Sequence, residues 1–362
     1  MRVAQCCFRR YRLELARRIE GVSPSVRGHP APATHREGVF VTVRDGSGWE
    51  GHGEIAPLPG LHREGLKEVF DALPGLRQAV MGTDWAQDES ALFEQSDAVL
   101  GAMPPSVRCG VEMALLDLSG NCAVDGEVAV CGLVPAGADV CEEAVRLARE
   151  GYRAVKVKLG RRDMTDEIEA IQRIREAVWA NPPTGSPHGG ASLRLDANRA
   201  WRLEQAVEFA RQIGPDGIEY IEEPVADPSD QRAFFQQTGI PIGLDETLVG
   251  LDPRQAPIAE GVGAVVLKPA ALGGLSRTAH WIAAARECGV RAVLSSCFES
   301  SVAVRSYGVM ALRMGLQETP QGLDTLKFLR EDVTVDQPPI HRGRMVIGLL
   351  TLRQGALEPI DL

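Results

Sequence analysis

The chain begins with the alternation of half-buried strands and then changes rhythm. Residues 8–15 and 39–43 alternate apolar and polar positions, and the second run leaves through Asp45-Gly-Ser-Gly48 towards residues 49–55, which is the signal of a β-hairpin. Helix-like runs follow over 66–81 and 107–119. Up to about residue 125 the pattern predicts a separate α+β domain.

From Val128 onwards strand and helix alternate at roughly 25-residue spacing, the mark of parallel βα units. Strands are predicted near Ala129, Val155, Leu193, Ile218, Ile242, Val265 and Val293, and helices over 141–149, 166–179, 203–213, 229–238, 253–260, 276–287 and 302–314. An eighth strand near 322–326 would close a barrel. The tail, 333–335 and 345–350, reads as strand returning to the first domain. Residues 53–60, Gly-Glu-Ile-Ala-Pro-Leu-Pro-Gly, form a stiff irregular loop, whereas residues 21–38, with three prolines and three glycines, are expected to be mobile. Residues 181–190 precede a strand and therefore belong to the barrel face opposite the functional one.

Polar residues interrupt this apolar rhythm at one kind of place. In Ala154-Val-Lys-Val-Lys-Leu-Gly160 the alternation puts Lys156 and Lys158 on one strand face. Alone, that is an amphipathic strand with its lysines in water. Four later segments also end in polar residues: Leu193-Arg-Leu-Asp-Ala-Asn198, Tyr220-Ile-Glu-Glu-Pro224, Gly243-Leu-Asp-Glu246 and Val265-Val-Leu-Lys268. In a closed parallel barrel such strand ends meet on one face.

Asp196, Glu222 and Asp245 then offer three carboxylates from successive strands, a hard oxygen set suited to Mg²⁺, with pairing to arginines or helix capping as the plain alternative. Phase puts Glu222 inward and leaves Glu223 and Glu246 to support the ligands. Lys158 and Lys268 lie on opposite sides of the acids, and clustered ammonium groups are expected to lower one another's pKa. Such a lysine removes a proton next to a carboxylate, and the facing ammonium holds the enediolate. Ser295 and Ser296 offer donors for a second anionic group or, equally, a helix cap.

Composition narrows the partners. With 362 residues and 44% apolar content the chain has ample core, and a net charge of -10 argues against a nucleic-acid or anionic-membrane surface. A small-molecule carboxylate is the expected partner. Eight cysteines without Cys-x-x-Cys spacing read as reduced thiols of a cytoplasmic protein, and no apolar run approaches a membrane span.

Lys-x-Lys, Asp-x-Asn, Glu-Glu-Pro, Asp-Glu and Leu-Lys-Pro in this order resemble the enolase superfamily in its muconate-lactonizing subgroup, for which a lysine base working with Mg²⁺ is a known pattern. The loop 53–60, Ser295-Ser-Cys-Phe-Glu-Ser-Ser301 and Gly322-Leu-Asp-Thr-Leu326 resemble the o-succinylbenzoate synthase family within it. The resemblance implies a modified TIM (β/α) barrel over 126–329 beneath an α+β capping domain, 1–125, completed by the tail 330–362. It implies metal ligands at Asp196, Glu222 and Asp245 holding Mg²⁺, with Mn²⁺ as a substitute, an acid/base lysine at Lys158 and a facing lysine at Lys268. Lys156, Arg194, Asn198 and Ser295 match supporting or substrate-binding positions. The implied activity is dehydration of a cyclohexadiene carboxylate in menaquinone or phylloquinone synthesis. N-succinylamino acid racemisation or dipeptide epimerisation uses the same parts, and a non-catalytic metal- and acid-binding barrel is the alternative from another class. The chain departs from the family pattern in the length of 21–38 and at Leu61-His-Arg63.

Overall fold

The computed structural model describes residues 1–19, 33–135, 139–180 and 190–361. The first strand, β1 (Val3–Ile19), pairs antiparallel with β2 (Ala33–Asp45), which turns at Gly48 (φ 93°) into β3 (Glu50–Ile55). Over residues 10–15 Tyr11, Leu13 and Leu15 are buried while Arg10, Arg12 and Glu14 stay in solvent, so there the alternation read in the sequence sets which face is covered. Three helices cover it: α1 (Leu66–Gly82), α2 (Glu89–Leu100) and α3 (Pro105–Leu118). Helix α3 lies so close on β3 that a Cβ at Gly53 would run into the Gly110 carbonyl.

The second body is a curled parallel sheet. After β4 (Gly126–Ala129) come β5 (Gly132–Leu133), α4 (Val140–Arg149), β6 (Ala154–Lys158), α5 (Met164–Trp179), β7 (Ser192–Asp196), α6 (Leu203–Ile213), β8 (Ile218–Glu222), α7 (Gln231–Thr238) and β9 (Ile242–Leu244). Then follow β10 (Val262–Leu267), the short α8 (Pro269–Leu272), α9 (Leu275–Glu287), β11 (Arg291–Leu294) and α10 (Ser301–Arg313). Strands β5 to β11 form seven parallel neighbours in chain order. This is the α/β barrel with an α+β capping domain that the pattern and the resemblance led us to expect.

In the cap the sequence reading missed α2, and four details of the barrel and tail differ from it. The strand at Ala129 is antiparallel to the tail, and the barrel sheet begins instead at the two-residue β5. No eighth strand forms over 322–326. The barrel is closed by bridges Val130 to Gln321 and Ser295 to Gly322, where a Cβ on Gly322 would meet the Ser295 side chain. No helix forms over 253–260, because Pro257 lacks the N–H that a helix would need and its ring would strike the carbonyl of Pro253. The tail strand β13 (Arg344–Ile347) pairs with β4 and β12 (Ile340–His341) on the barrel; the return to the capping sheet is made further on, by β14 (Glu358–Pro359) against Arg9 and Arg10.

Of the loop at 21–38, residues 33–38 extend β2 and the rest lies outside the described residues, as do 181–189 of the Pro/Gly-rich loop. Among the described residues no helix is long and apolar enough to cross a membrane.

Candidate active site at the barrel mouth

Register brings the polar strand ends abreast. Lys158 on β6 pairs with Asp196 on β7, Asp196 with Glu222 on β8, and Glu222 with Gly243 on β9, so Asp245 stands just beyond the same level. Lys268 and Ser295 follow β10 and β11 directly. Asp196, Glu222 and Asp245 are all buried.

The lysines and acids are already engaged with one another. Lys156 Nζ donates to both oxygens of Glu222, at 2.8 and 2.7 Å, and lies 2.9 Å from Asp196 Oδ2. Lys158 Nζ donates to Asp196 Oδ2 at 3.1 Å and to Asn198 Oδ1 at 2.9 Å. Lys268 Nζ donates to Asp245 Oδ2. Burial opposes the charges of Lys156, Lys268, Asp196 and Glu222. Even so, Lys156 and Lys158 hold the Asp196 carboxyl below its usual range, whereas burial and the Asp196 charge push Glu222 up despite Lys156.

The expectation that neighbouring ammonium groups depress one another fails for Lys156 and Lys268. Burial lowers Lys156 and Lys268, but the facing carboxylates, Asp196 and Glu222 for the first and Asp245 for the second, outweigh it and raise both.

Glu223 and Glu246 support the ring from behind, in the way that strand phase suggests. Glu223, at φ 43°, accepts from the backbone N–H of Asp245 at 2.9 Å and of Thr247 at 2.7 Å and from Arg199 Nε at 2.9 Å, which fixes the start of the Asp245 loop. Glu246 Oε1 accepts from Asn198 Nδ2 at 3.0 Å. Among the described residues its Oε2 is buried without a partner, and burial with the Asp245 charge pushes the group up to about 7.

The mouth opens on a cavity of about 450 Å³. Lys156, Lys158, Lys268 and Ser295 form its polar floor, Leu58 and Leu61 of the capping loop form one wall, and Phe298 and Phe328 form another. Ser295 therefore belongs to the cavity, and the helix cap is a different serine: Ser300 Oγ accepts from Val302 N at 3.2 Å at the start of α10.

Arg194 does not reach the cavity. It lies two residues before Asp196 on the same strand face and hence one layer deeper, where Glu219 accepts from Nε and Nη2 at 2.9 and 3.0 Å, Pro320 O accepts at 2.6 Å, and the Tyr220 ring lies 5.4 Å away. Its place is in the barrel core rather than against a substrate. Arg161 and Arg162, which the sequence reading passed over, do line the cavity; Glu167 in the first turn of α5 accepts from the backbone N–H of Gly160, Arg161 and Arg162 and shapes that loop. Two arginines directly after Lys158-Leu-Gly, with an acid in the following helix turn, were the available signal.

Among the described residues no three acidic, histidine or cysteine side chains converge on a common point, since Lys156 and Lys268 hold the carboxylates. The donor set nevertheless fits a hard divalent cation in its chemistry: three buried carboxylates at adjacent strand ends, with the unpartnered Glu246 Oε2 behind them.

A parallel barrel under a two-ended cap, with lysines flanking strand-end acids, defines the class. Residues 139–349 match the family described as Enolase C-terminal domain-like, and residues 24–118 match the MenC N-terminal domain. The o-succinylbenzoate synthase of Salmonella newport (strain SL254) is 34% identical over 303 residues, 82% of this chain and 84% of that protein. Among solved structures, the L-Ala-D/L-Glu epimerase from Bacillus subtilis superposes with TM-score 0.80 at 22% identity over all of both chains. MenC from Desulfotalea psychrophila LSv54 gives 0.75 at 23% over 95% of this chain and 99% of that one. These two show the fold. The chain belongs to the enolase superfamily and, within it, to the o-succinylbenzoate synthase family, and members of the superfamily bind a divalent metal ion.

Proposed function

We propose that the protein is a metal-dependent lyase that dehydrates 2-succinyl-6-hydroxy-2,4-cyclohexadiene-1-carboxylate to o-succinylbenzoate in menaquinone or phylloquinone synthesis. The observation that carries this reading is that Lys158 and Lys268, from strands on either side of the three acids, line one cavity together with Ser295. The 34% identical synthase supports the choice of substrate.

Lys158 Nζ, in its neutral form, takes the proton alpha to the ring carboxylate. Lys268, cationic against Asp245, faces the enediolate oxygens that result. Lys158 then returns its proton to the departing hydroxide, which leaves as water and lets the ring become aromatic. Asn198 holds Lys158 in place, and Ser295 with the loop beyond it receives the succinyl end. Asp196, Glu222 and Asp245 would hold a divalent cation, Mg²⁺ or Mn²⁺, which would supply positive charge for the ring carboxylate.

A racemase or epimerase reading draws on the same lysine pair and on the likeness to the Bacillus epimerase. The first test is direct. Supplied with the cyclohexadiene substrate and Mg²⁺, the protein forms the aromatic product, and a chelator abolishes turnover until metal is restored. No aromatic product from metal-supplied protein would refute the proposal.

A further inference from the structure

One buried cation outside the catalytic ring ties the cap to the barrel. Arg36, on β2, is 2% exposed, and its guanidinium meets three backbone carbonyls from two distant segments. Nη2 donates to Ala56 O at 2.8 Å and Nη1 to Pro57 O at 3.0 Å, while Nε donates to Phe298 O, 262 residues away, at 3.0 Å. Each segment forms a wall of the cavity: Leu58 follows Pro57 directly, and Phe298 ends the run that begins at Ser295.

The barrel segment needs an outside hold. Phe298 is in the left-handed region at φ 61°, a conformation that a bulky residue keeps only where its surroundings over-determine it. The ring of Phe328 meets it edge-on at 5.0 Å, the Glu299 carboxylate accepts from Cys297 N, and Arg36 takes the Phe298 carbonyl. Only a planar fork with several fixed N–H directions reaches three carbonyls of this arrangement at once, so lysine is not an equivalent.

Given the reading of this cavity as the substrate site, we propose that Arg36 is a positioning residue that sets the distance between the cap wall at Leu58 and the barrel wall at residues 295–298, and so fixes the pocket for the part of the substrate remote from Lys158. It touches none of the acids or lysines that would carry the chemistry.

The test uses Arg36→Lys and Arg36→Met in the full chain. Steady-state kinetics with the cyclohexadiene substrate and Mg²⁺ are expected to show KM raised about tenfold with kcat within about threefold, the pattern of lost binding that is common to ground and transition states. Iodoacetamide labelling read by mass spectrometry supplies an arm that needs no turnover. Cys297 is 1% exposed in the held segment, and its labelling is expected to accelerate about tenfold or more, the effect of a local opening. Cys6 and Cys122, buried elsewhere, keep the wild-type rate. If Arg36→Met does not fold, Arg36→Lys carries both arms. A folded variant with wild-type KM and a protected Cys297 would overturn the assignment, as would equal acceleration at all three cysteines, which reports a general loss of stability. Accelerated Cys297 alone in a protein that makes no aromatic product would keep the clamp and refute the substrate.

Discussion

Lys156 donates to both carboxylate oxygens of Glu222, so one half-buried ammonium at the cavity floor sets a counter-charge beneath an acid of the proposed metal set. It also lies 2.9 Å from Asp196. Lys156 is therefore a counter-charge to the ligands rather than a second base, and this sets what its removal does.

Lys156→Met leaves the buried Glu222 without its ammonium partner and Asp196 with Lys158 alone. Loss of one partner in such a pair costs about 3–5 kcal/mol. In chelator the variant is expected to unfold at a clearly lower temperature than the wild type, and Mg²⁺ to restore more stability to the variant than it adds to the wild type. Thermal melts with and without Mg²⁺ check this, and equal metal-induced shifts in the two proteins would contradict it.

Lys158→Ala removes the group that acts first as base and then as acid. Its partners Asp196 and Asn198 keep other hydrogen bonds, so the fold is expected to persist. Turnover should fall by several orders of magnitude, since a proton-transfer group is worth about 10²–10⁴ per step. Circular dichroism and product formation measured on the same sample test both halves, and a near-native rate would place the base elsewhere.

Glu299 gives a pH signature unconnected with the metal site. Burial first, and then the neighbouring Glu54 charge, push it up from 4.5 to about 7. With the folded value above the unfolded one, the folded state binds the extra proton, so this contribution to stability is fully present below pH 4.5 and is lost as pH rises through 7. The stability of the wild type relative to Glu299→Gln is expected to decline across that window by on the order of 3 kcal/mol. Denaturant unfolding of both proteins from pH 4.5 to 8 measures it, and a difference independent of pH would refute the assignment.

Much of the barrel was legible because buried parallel strands and amphipathic helices carry strong periodicity. The helix over 203–213 is matched residue for residue, and Glu222 rather than Glu223 faces inward, as strand phase requires. Position along a strand was less legible than face. Arg194 shares its face with Asp196, and only the three-dimensional level separates a core residue from one at the mouth. The place of barrel closure was legible near residue 322 but its form was not, because Gln321 makes it partly with its side chain, accepting from Leu294 N at 2.6 Å, instead of through a regular strand. The Arg36 clamp was beyond reach for a related reason: its acceptors are backbone carbonyls, which no side-chain pattern reports.

The central claim is dehydration, and the lysine pair alone does not separate it from racemisation, because both reactions begin with the same enediolate. Racemisation needs proton exchange on both faces, whereas dehydration uses Lys158 alone and leaves Lys268 cationic beside Asp245. The deciding measurement sets the rate of o-succinylbenzoate formation beside deuterium incorporation into each enantiomer of an N-succinylamino acid in D₂O. Fast dehydration with weak or absent exchange is the expected result; rapid exchange of both enantiomers with slow dehydration would contradict the account and make the protein a racemase.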